Sequence, residues 1–574
     1  MSILNRRCFL RCASTGIVSA AIAEGTAQAA IPPAAIPAHR PPNILLIITD
    51  DQGYGDLGCH GNPVLHTPNL DRLHAESVRM KQFYVCPVCS PTRACLMTGR
   101  YNYRTGVVDT YAGRSMMAPE EQTLAELLRR NGYKTGIFGK WHLGDTWPLR
   151  PMDRGFDESL VHRGGGIAQP SDPEFYERRD TYFNPILQHN GHQERRAGYC
   201  AEIFANAAMA FMEAHREEPF FTYLAFNTPH TPLQVPEADA EPYKTLGLEE
   251  ETARVYGMIT NTDRHIGRVL KCLSDIGLDR DSIVLFMTDN GAQQLAGTDR
   301  YTAGLRGWKG SVYEGGIRVP CFIRWPNGFT GGRDLDRIAA HIDIVPTLLN
   351  LCNIALPNAP AFDGVSLAPL LNEKQSDTRW ADRNLFFQWH RGDAPQAFKN
   401  CAVRNQRWKL VNGIELYDMN EDPAEEKDVA STQDDRVREL RQAYLAWFED
   451  VGSTRGYGPV RIHVGSDHEN PVMLTRQDWR GTENWTDISA AGGWEILIER
   501  TGEYEALVIF EAAAQGSTLH LKLGEKEIQQ AIPPGISQAI IKNLQWNAGE
   551  YLLECRIISG EIKTSPHYIQ LYKR

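Results

Sequence analysis

The sequence has few of the features that direct a chain to a membrane, to nucleic acid or to a disulfide-stapled fold. Its apolar stretch near the amino terminus, from Ala13 to Ala23, is far too short to span a bilayer. Acidic residues outnumber basic ones, 71 to 60, and the net charge of −11 argues against nucleic acid or an anionic membrane surface as a partner. The twelve cysteines show no closely spaced framework, and a chain of 574 residues is too large to need disulfides for stability.

One short segment carries more chemical information than any other. It runs from Cys89 to Arg100 and contains the spacing Cys-x-Pro-x-Arg. Proline is favoured in the first turn of a helix, so Pro91 predicts that Cys89 lies where free N–H groups and the helix dipole favour an oxyanion. Arg93 would add a fixed positive charge on the same turn. The alternative is a buried structural thiol, since free cysteine is among the most buried residue types.

Four apolar runs of strand length each lead into polar residues. Continuous β-branched and aromatic runs are typical of strands buried on both faces, and amphipathic stretches between them predict helices from Thr67, from Glu202 to His215 and from Val255 to Ile276. The runs are Asn43–Thr49, Lys134–Phe138, Phe220–Phe226 and Ser282–Thr288. This alternation predicts an α/β fold, a mixed sheet sandwiched by helices. Because ligands bind beyond the carboxyl ends of such strands, the polar residues should meet at one edge.

The polar residues after two of these runs form a set of oxygen donors. Asp50 and Asp51 follow the first run, and Asp289 and Asn290 follow the last. Without the cysteine and histidine pairs that zinc prefers, this set suits Ca²⁺ or Mg²⁺, and the mixed carboxylate and amide ligands favour Ca²⁺. The alternative is that these residues only cap helices or form turns. Two such pairs in a chain that also carries Cys89 favour the metal site.

Together, the motifs resemble those of type I sulfatases, in which a maturation enzyme oxidises a cysteine to Cα-formylglycine. The resemblance covers most of residues 40 to 450, and the blocks stand in the family's order. They are Asn43 to Asp56, Cys89 to Arg100, Gly139 to Gly144, Asn227 to Pro232, Thr288 to Gly291 and Leu305 to Pro320. The resemblance implies an alkaline-phosphatase-like fold and a sulfuric ester hydrolase that acts on a sulfated carbohydrate or a related sulfate ester.

The resemblance also implies two sets of site residues. The metal, Ca²⁺ or else Mg²⁺, would be bound by Asp50, Asp51, Asp289, Asn290 and the converted Cys89. The sulfate would be surrounded by Arg93, Lys140, His142, His230 and Lys309.

In the implied mechanism, one hydroxyl of the aldehyde hydrate attacks sulfur and the alcohol leaves. Asp289 would accept the proton of the nucleophile, and His230 or Lys309 would protonate the leaving oxygen. His142 would then remove the proton of the second hydroxyl, which releases sulfate and restores the aldehyde. The metal and the lysines would stabilise the non-bridging oxygens.

The sequence leaves two other functions open. The first is a phosphonate or phosphate monoester hydrolase of the same superfamily, some of which use the same converted cysteine; matched aryl sulfates and phosphates separate it from a sulfatase. The second is a catalytically silent carbohydrate-binding homologue, which an unconverted Cys89 in the native host would favour.

Composition divides the chain into five segments. Residues 1–30 resemble a twin-arginine export signal, with Arg6 and Arg7 before a weakly apolar stretch and a small-residue cleavage site, and residues 31–42 are a linker. Catalytic α/β, α+β and β-sandwich domains are predicted at 43–375, 376–455 and 456–574. The prediction is an exported enzyme, periplasmic or secreted, without a membrane span.

Two features of the C-terminal segments have two interpretations each. The segment Gln388 to Asp393 is either a substrate-facing loop or ordinary surface. The tryptophans of the sandwich form either a sugar-stacking platform or its core; they are Trp479, Trp485, Trp494 and Trp546. The short, stiff connection Tyr457-Gly458-Pro459 predicts that the sandwich packs on the α/β domain.

Overall fold

The computed structural model describes residues 40–574, apart from 168, 179, 297–299, 356–360, 373–379, 482–486 and 514. The predicted signal and most of the predicted linker therefore lie outside the described residues. In the described part, no helix combines the length and apolar character that crossing a membrane requires. All ten cysteines described there are free thiols.

A ten-stranded mixed sheet forms the centre of the structure. The four predicted strands are adjacent in it and parallel, so Leu46 pairs with both Tyr223 and Leu285. In spatial order the strands are Arg333–Leu335, Val78–Met80, Cys321–Arg324, Ser282–Thr288, Asn43–Thr49, Phe220–Ala225, Lys134–Lys140, Glu158–His162, Ile186–His189 and His192–Arg195. The parallel arrangement confirms that the carboxyl ends of the four predicted strands share one edge.

Helices cover both faces of this sheet, which explains why its central strand is apolar at successive positions. In Asn43–Thr49, Leu46 packs into one core cluster and Leu45 into the other. The helices that contribute residues to the cluster around Leu46 are Cys89–Thr98, Leu124–Arg130, Ile344–Leu351 and Ala368–Leu371. The helices that contribute residues to the cluster around Leu45 are Pro68–Glu76, Cys200–Ala214, Glu237–Thr245 and Glu250–Asp275. The three predicted helices are therefore confirmed, with ends shifted by a few residues.

A smaller unit follows the α/β part. Its antiparallel sheet is made of Leu385–Gln388, Cys401–Arg404, Trp408–Val411 and Glu415–Asp418, in that order. The helix Asp434–Ser453 packs on this sheet through Leu440 and Tyr444, which share a core cluster with Leu410. Short helices elsewhere are Gly58–His60, Pro151–Arg154, Pro173–Tyr176, Glu314–Ile317, His341–Asp343 and Ala430–Thr432.

The C-terminal residues form a two-sheet β-sandwich. One sheet contains Ile462–Val464, Gly493–Ile498, Gly549–Ser559, Ser517–Leu523 and Lys526–Ile532, with Ile562–Thr564 paired beside it. The other contains Val472–Leu474, Tyr568–Lys573, Gly502–Ile509 and Gln538–Trp546. Among the described residues, two further strands, Phe83–Tyr84 and Ala339–Ala340, pair with each other.

The sandwich packs against the α/β part, as the stiff connection predicts. Met116 and Leu149, from loops of the α/β part, belong to the core cluster of the sandwich. The ring of Trp147 stacks on His468, with centroids 4.7 Å apart. Trp479, Trp494 and Trp546 are buried in the sandwich, so of the two interpretations the core is confirmed for these three. Trp485 lies outside the described residues.

Candidate active site

The predicted oxygen donors meet at the carboxyl edge of the sheet. The strands Asn43–Thr49 and Ser282–Thr288 are direct neighbours, so the residues that follow them are brought side by side. The backbone N–H of Asp51 donates to Oδ1 of Asp289 over 3.2 Å, and Nδ2 of Asn290 donates to Oδ1 of Asp51 over 2.9 Å. Asp50, Asp51, Asp289 and Asn290 are all buried.

Cys89 is the first residue of the helix Cys89–Thr98, which we call the nucleophile helix. This confirms the predicted placement of Cys89 at a helix N-terminus. Val88 before it has an extended backbone and provides no side-chain cap, so the first turn keeps the N–H groups that attract an anion. Burial raises the pKa of the Cys89 thiol. Ligand atoms of Cys89, Asp50 and Asp289 all lie within 4.8 Å of one another.

Two buried cations pair with carboxylates beneath the site. Nζ of Lys140 lies 2.6 Å from Oδ2 of Asp50, and Nη2 of Arg93 lies 2.8 Å from Oδ2 of Asp289. Burial and the charge of Asp50 raise the pKa of Asp289 to about 7, against the lowering effect of Arg93. Arg93 and Lys140 thus compensate the acidic cluster from below and do not line the pocket.

Lys309 and His230 approach Asp51 from the open side. Nζ of Lys309 lies 2.8 Å from Oδ2 of Asp51, and Nε2 of His230 lies 3.7 Å from the same oxygen. Burial opposes ionisation of Asp51, but the charge of Lys309, aided by the hydrogen bond from Asn290, holds its pKa well below the usual range. Burial alone would lower the pKa of the Lys309 ammonium, but the charge of Asp51 raises it, so Lys309 stays charged. Burial lowers the pKa of His230 to about 3, so its imidazole is neutral.

The donor set fits a hard cation. Oδ1 of Asp50 and Oδ1 of Asn290 are buried and have no hydrogen-bond partner, although buried polar atoms normally have one. Both atoms belong to the predicted ligand set. Carboxylate and amide oxygens are the ligands of Ca²⁺ and Mg²⁺, and a bound cation would satisfy the two unpartnered oxygens.

His142 faces Cys89 in a defined tautomer. Its Nε2 lies 2.7 Å from the carbonyl oxygen of Thr110; since a carbonyl only accepts, Nε2 carries the hydrogen. Its Nδ1 therefore presents a lone pair to Sγ of Cys89, 3.5 Å away. Burial, reinforced by Lys140, lowers the pKa of His142 well below its usual value. His142 and Asp51 both have left-handed backbones, with φ of 61° and 66°, a strain that is typical of functional sites.

A cavity of about 590 Å³ opens above Cys89. Its rim includes the predicted segment Gln388 to Asp393, since both Trp389 and Arg391 line it. The guanidinium of Arg391 lies over the rings of Tyr111 and Trp389, 4.3 and 4.9 Å from their centroids. The other lining residues are Val88, Thr110, His142, Gly165, Gln169, His230, Thr231, Gln293, Gln294, Lys309 and Gly310.

Sequence reasoning missed the contribution of the β-sandwich to this site. Nε2 of Gln477 donates to the carbonyl oxygen of Thr110 over 2.8 Å and to Oγ of Ser115 over 2.9 Å. It also lies 3.3 Å from Nε2 of His142. Gln477 belongs to no motif, and its distance in sequence from His142 gives no signal of this contact.

The site places oxygen donors that suit a divalent cation beside a cysteine at a helix N-terminus, an arrangement that fits an ester hydrolase. A family model described as Sulfatase matches residues 42–354. A second model, N-sulphoglucosamine sulphohydrolase, C-terminal, matches residues 305–446, so neither covers the β-sandwich. The chain belongs to the sulfatase family, whose members carry a formylglycine and a divalent metal.

Named relatives agree with this assignment. N-acetylgalactosamine-6-sulfatase from Homo sapiens is 33% identical over 406 residues, which are 66% of this chain and 74% of the relative. Arylsulfatase A from Homo sapiens is 33% identical over 417 residues, which are 67% of this chain and 78% of the relative. A crystal structure of Ps i-CgsB in complex with k-i-k-neocarrahexaose is 28% identical with a TM-score of 0.65, covering 73% of this chain and 95% of that one. The chain is a sulfuric ester hydrolase, and the phosphate-hydrolase and silent alternatives are not favoured.

Proposed function

We propose that this sulfatase removes sulfate from a saccharide through a nucleophile made from Cys89. The observation that carries the proposal is the cavity of about 590 Å³ above Cys89, with Lys309 inside it and the rings of Tyr111 and Trp389 at its rim. A cavity of this size, lined by aromatic rings and a few polar groups, suits a small polar ligand such as a sugar. The similarity to N-acetylgalactosamine-6-sulfatase and to Ps i-CgsB with its bound neocarrahexaose supports a carbohydrate substrate.

Formylglycine at position 89 would supply an aldehyde hydrate whose hydroxyl attacks sulfur. The chain's own residues would prepare this position. The N-terminus of the nucleophile helix favours the negative charge of the nucleophile. Asp289, with a carboxylate oxygen within 4.8 Å of Sγ of Cys89, is proposed to accept the nucleophile's proton.

The proposed metal ligands are Asp50, Asp51, Asp289, Asn290 and the converted Cys89. Ca²⁺ is the proposed ion, with Mg²⁺ as the alternative, because the donors are carboxylate and amide oxygens. The ion would neutralise charge that develops on the sulfate and on the nucleophile. Arg93 and Lys140 hold two of the ligand carboxylates through the ion pairs to Asp289 and Asp50.

Lys309 is the stronger of the two candidates for protonating the leaving oxygen. It lines the cavity and keeps its proton because Asp51 stabilises the ammonium. His230 is neutral, and its Nδ1 lies 2.6 Å from the carbonyl oxygen of Thr231 and donates to it. His142 is proposed to remove the proton of the second hydroxyl, because its Nδ1 lone pair faces position 89.

The proposed domain division follows the predicted bounds 43–375, 376–455 and 456–574. The proposed location is outside the cytoplasm, reached through the signal-like residues 1–30 after Cys89 has been converted by a maturation enzyme in the cytoplasm. Fractionation of the native host tests the location: activity confined to the cytoplasm would contradict it.

The test of function uses enzyme produced with the maturation enzyme. We expect hydrolysis of an aryl sulfate to exceed that of the matched aryl phosphate, and Cys89→Ala to abolish turnover without unfolding the protein. A panel of defined sulfated saccharides should then contain a substrate that is cleaved more efficiently than the aryl sulfate. Mass analysis of the peptide containing residue 89 should show the aldehyde. Preference for the phosphate, or turnover by Cys89→Ala, would contradict the proposal.

A further inference from the structure

A second cluster of metal-binding side chains lies beside the nucleophile helix. Cys86 precedes the helix, Cys95 lies on it, and His341 begins the short helix His341–Asp343. Sγ of Cys86 is 3.9 Å from Sγ of Cys95 and 3.2 Å from Nε2 of His341. All three residues are buried and none lines the cavity above Cys89.

Two of the three separations match those between the ligands of a tetrahedral metal site, and the third, between Sγ of Cys95 and a ring nitrogen of His341, is within 4.8 Å. With Zn–S bonds of about 2.3 Å and Zn–N bonds of about 2.0 Å, two sulfurs lie about 3.8 Å apart, and a sulfur and a nitrogen about 3.5 Å apart. The observed 3.9 and 3.2 Å differ from these values by a few tenths of an ångström. Small side-chain rotations would accommodate the ion.

A candidate fourth donor lies beside Cys86. Oδ1 of Asn102 lies 3.7 Å from Sγ of Cys86, and its Nδ2 is held by the carbonyl oxygen of Val107 at 2.9 Å, which fixes the orientation of the amide. Such hydrogen bonds to ligands are the usual support of a metal site.

We propose that Cys86, Cys95 and His341 bind one zinc ion, with Oδ1 of Asn102 as the fourth donor. Thiolate and imidazole ligands select zinc, whereas the oxygen donors around Asp50 select a hard cation, so the two sites differ in chemistry. Four protein donors and full burial make the zinc site closed and structural. Because the ligands are buried, the ion enters while the chain folds.

The ion would fasten the nucleophile helix to its surroundings. It joins the segment before the helix, the body of the helix and the start of the helix His341–Asp343. Cys86 is three residues before Cys89, and its carbonyl oxygen accepts a hydrogen bond of 3.1 Å from Oγ1 of Thr92 in the first turn. Zinc at Cys86 therefore holds in place the turn that carries the nucleophile.

The test is the metal content of the full-length enzyme, produced with zinc and dialysed into metal-free buffer. We expect about one zinc per chain, and less than about one tenth of that in Cys86→Ala/Cys95→Ala. Two matched controls should keep their zinc. Asp51→Asn alters the hard-cation site, and Cys59→Ala alters the other described cysteine–histidine group, formed by Cys59, His60 and His74.

A second measurement needs no variant. Wild-type enzyme produced with Co²⁺ in place of Zn²⁺ should show a thiolate-to-cobalt charge-transfer band in the near ultraviolet. Wild-type protein without stoichiometric zinc and without this band would overturn the proposal. So would zinc that remains in Cys86→Ala/Cys95→Ala or is lost in Cys59→Ala, or a disulfide between Cys86 and Cys95 found by mass analysis.

Discussion

Gln477 lies 3.3 Å from His142, Nε2 to Nε2, although it belongs to the β-sandwich and His142 follows a strand of the central sheet. Both side chains donate to the carbonyl oxygen of Thr110. That carbonyl fixes the proton of His142 on Nε2 and so turns its Nδ1 lone pair to Cys89. The β-sandwich, which lies outside both matched family models, thus contacts the carbonyl group that orients His142 in the candidate site.

Replacing Gln477 should therefore impair the chemical step. In Gln477→Ala the Thr110 carbonyl loses one donor, and we expect kcat for an aryl sulfate to fall about fivefold, since one hydrogen bond is worth about 1 kcal/mol. KM should change less, and the acidic limb of the pH–rate profile should shift because His142 is held less firmly. Steady-state kinetics across pH measure both effects.

Two further variants separate positioning from general destabilisation. Gln477→Glu keeps the shape but cannot donate to Thr110, so it should be at least as slow as Gln477→Ala. Gln538→Ala, at an exposed position on the same sandwich, should behave as wild type. Full activity in Gln477→Glu would show that the donated hydrogen bond is unimportant.

The roles of Lys309 and His230 can be told apart by leaving groups. Each alanine variant should lose on the order of 10²-fold or more in kcat, as when one preorganised donor leaves an oxyanion site. In Lys309→Ala the loss should grow as the leaving alcohol becomes less acidic, because such alcohols depend most on the proton donor. Rates for a series of substituted aryl sulfates measure this. If the loss of kcat instead increased with less acidic alcohols in His230→Ala and not in Lys309→Ala, His230 would be the proton donor.

Removal of the hard cation should lower activity and stability together. Asp50, Asp51 and Asp289 are buried within one cluster, and a ligand that binds only the folded state stabilises it. Chelation should therefore abolish turnover and lower the melting temperature, and added Ca²⁺ should restore both. Elemental analysis that finds zinc but neither Ca²⁺ nor Mg²⁺ in a protein that loses activity on chelation would contradict the proposed ion.

Asp478 gives the sandwich interface a predictable pH dependence. Burial raises its pKa to about 8, and Asp145 adds to the effect. In the folded protein Asp478 keeps its proton up to about pH 8, whereas in the unfolded chain it releases the proton above about pH 4. The resulting contribution to the free energy of unfolding is complete below about pH 4 and is lost as the pH rises to about 8. The side chain in Asp478→Asn is neutral at both pH values. The free energy of unfolding of this variant, minus that of wild type, should therefore be a few kcal/mol larger at pH 8 than at pH 4.

Denaturant unfolding of both proteins across this range measures the difference. Glu525→Gln, which removes an exposed acid from the same sandwich, serves as the control and should follow the wild-type curve. A constant difference between Asp478→Asn and wild type from pH 4 to pH 8 would mean that Asp478 is ionised in the folded protein.

The sequence predicted the sheet and the convergence of its polar ends because both depend on local patterns. Asn43–Thr49 and Ser282–Thr288 have the predicted bounds, since strands covered on both faces need continuous apolar residues. The contact of Gln477 with the Thr110 carbonyl depends on how the β-sandwich packs on the α/β part. The pattern of apolar residues along the sequence gives no information about that packing. Burial of Trp479 and Trp494 likewise depends on the sandwich closing over them. The pairing of Arg93 with Asp289 beneath the pocket was equally invisible, because spacing does not tell which way a charged side chain turns.

Removing the sandwich should damage the enzyme even toward a small substrate. A chain ending at Gly456 keeps every proposed catalytic and metal-binding residue, but it exposes Met116 and Leu149 and loses Gln477. Exposed apolar surface destabilises a domain, so the melting temperature should fall and hydrolysis of an aryl sulfate should drop at least as far as in Gln477→Ala. A sandwich that only recruited polymer would leave both unchanged, and a truncated protein with wild-type melting temperature and aryl sulfate activity would support that alternative.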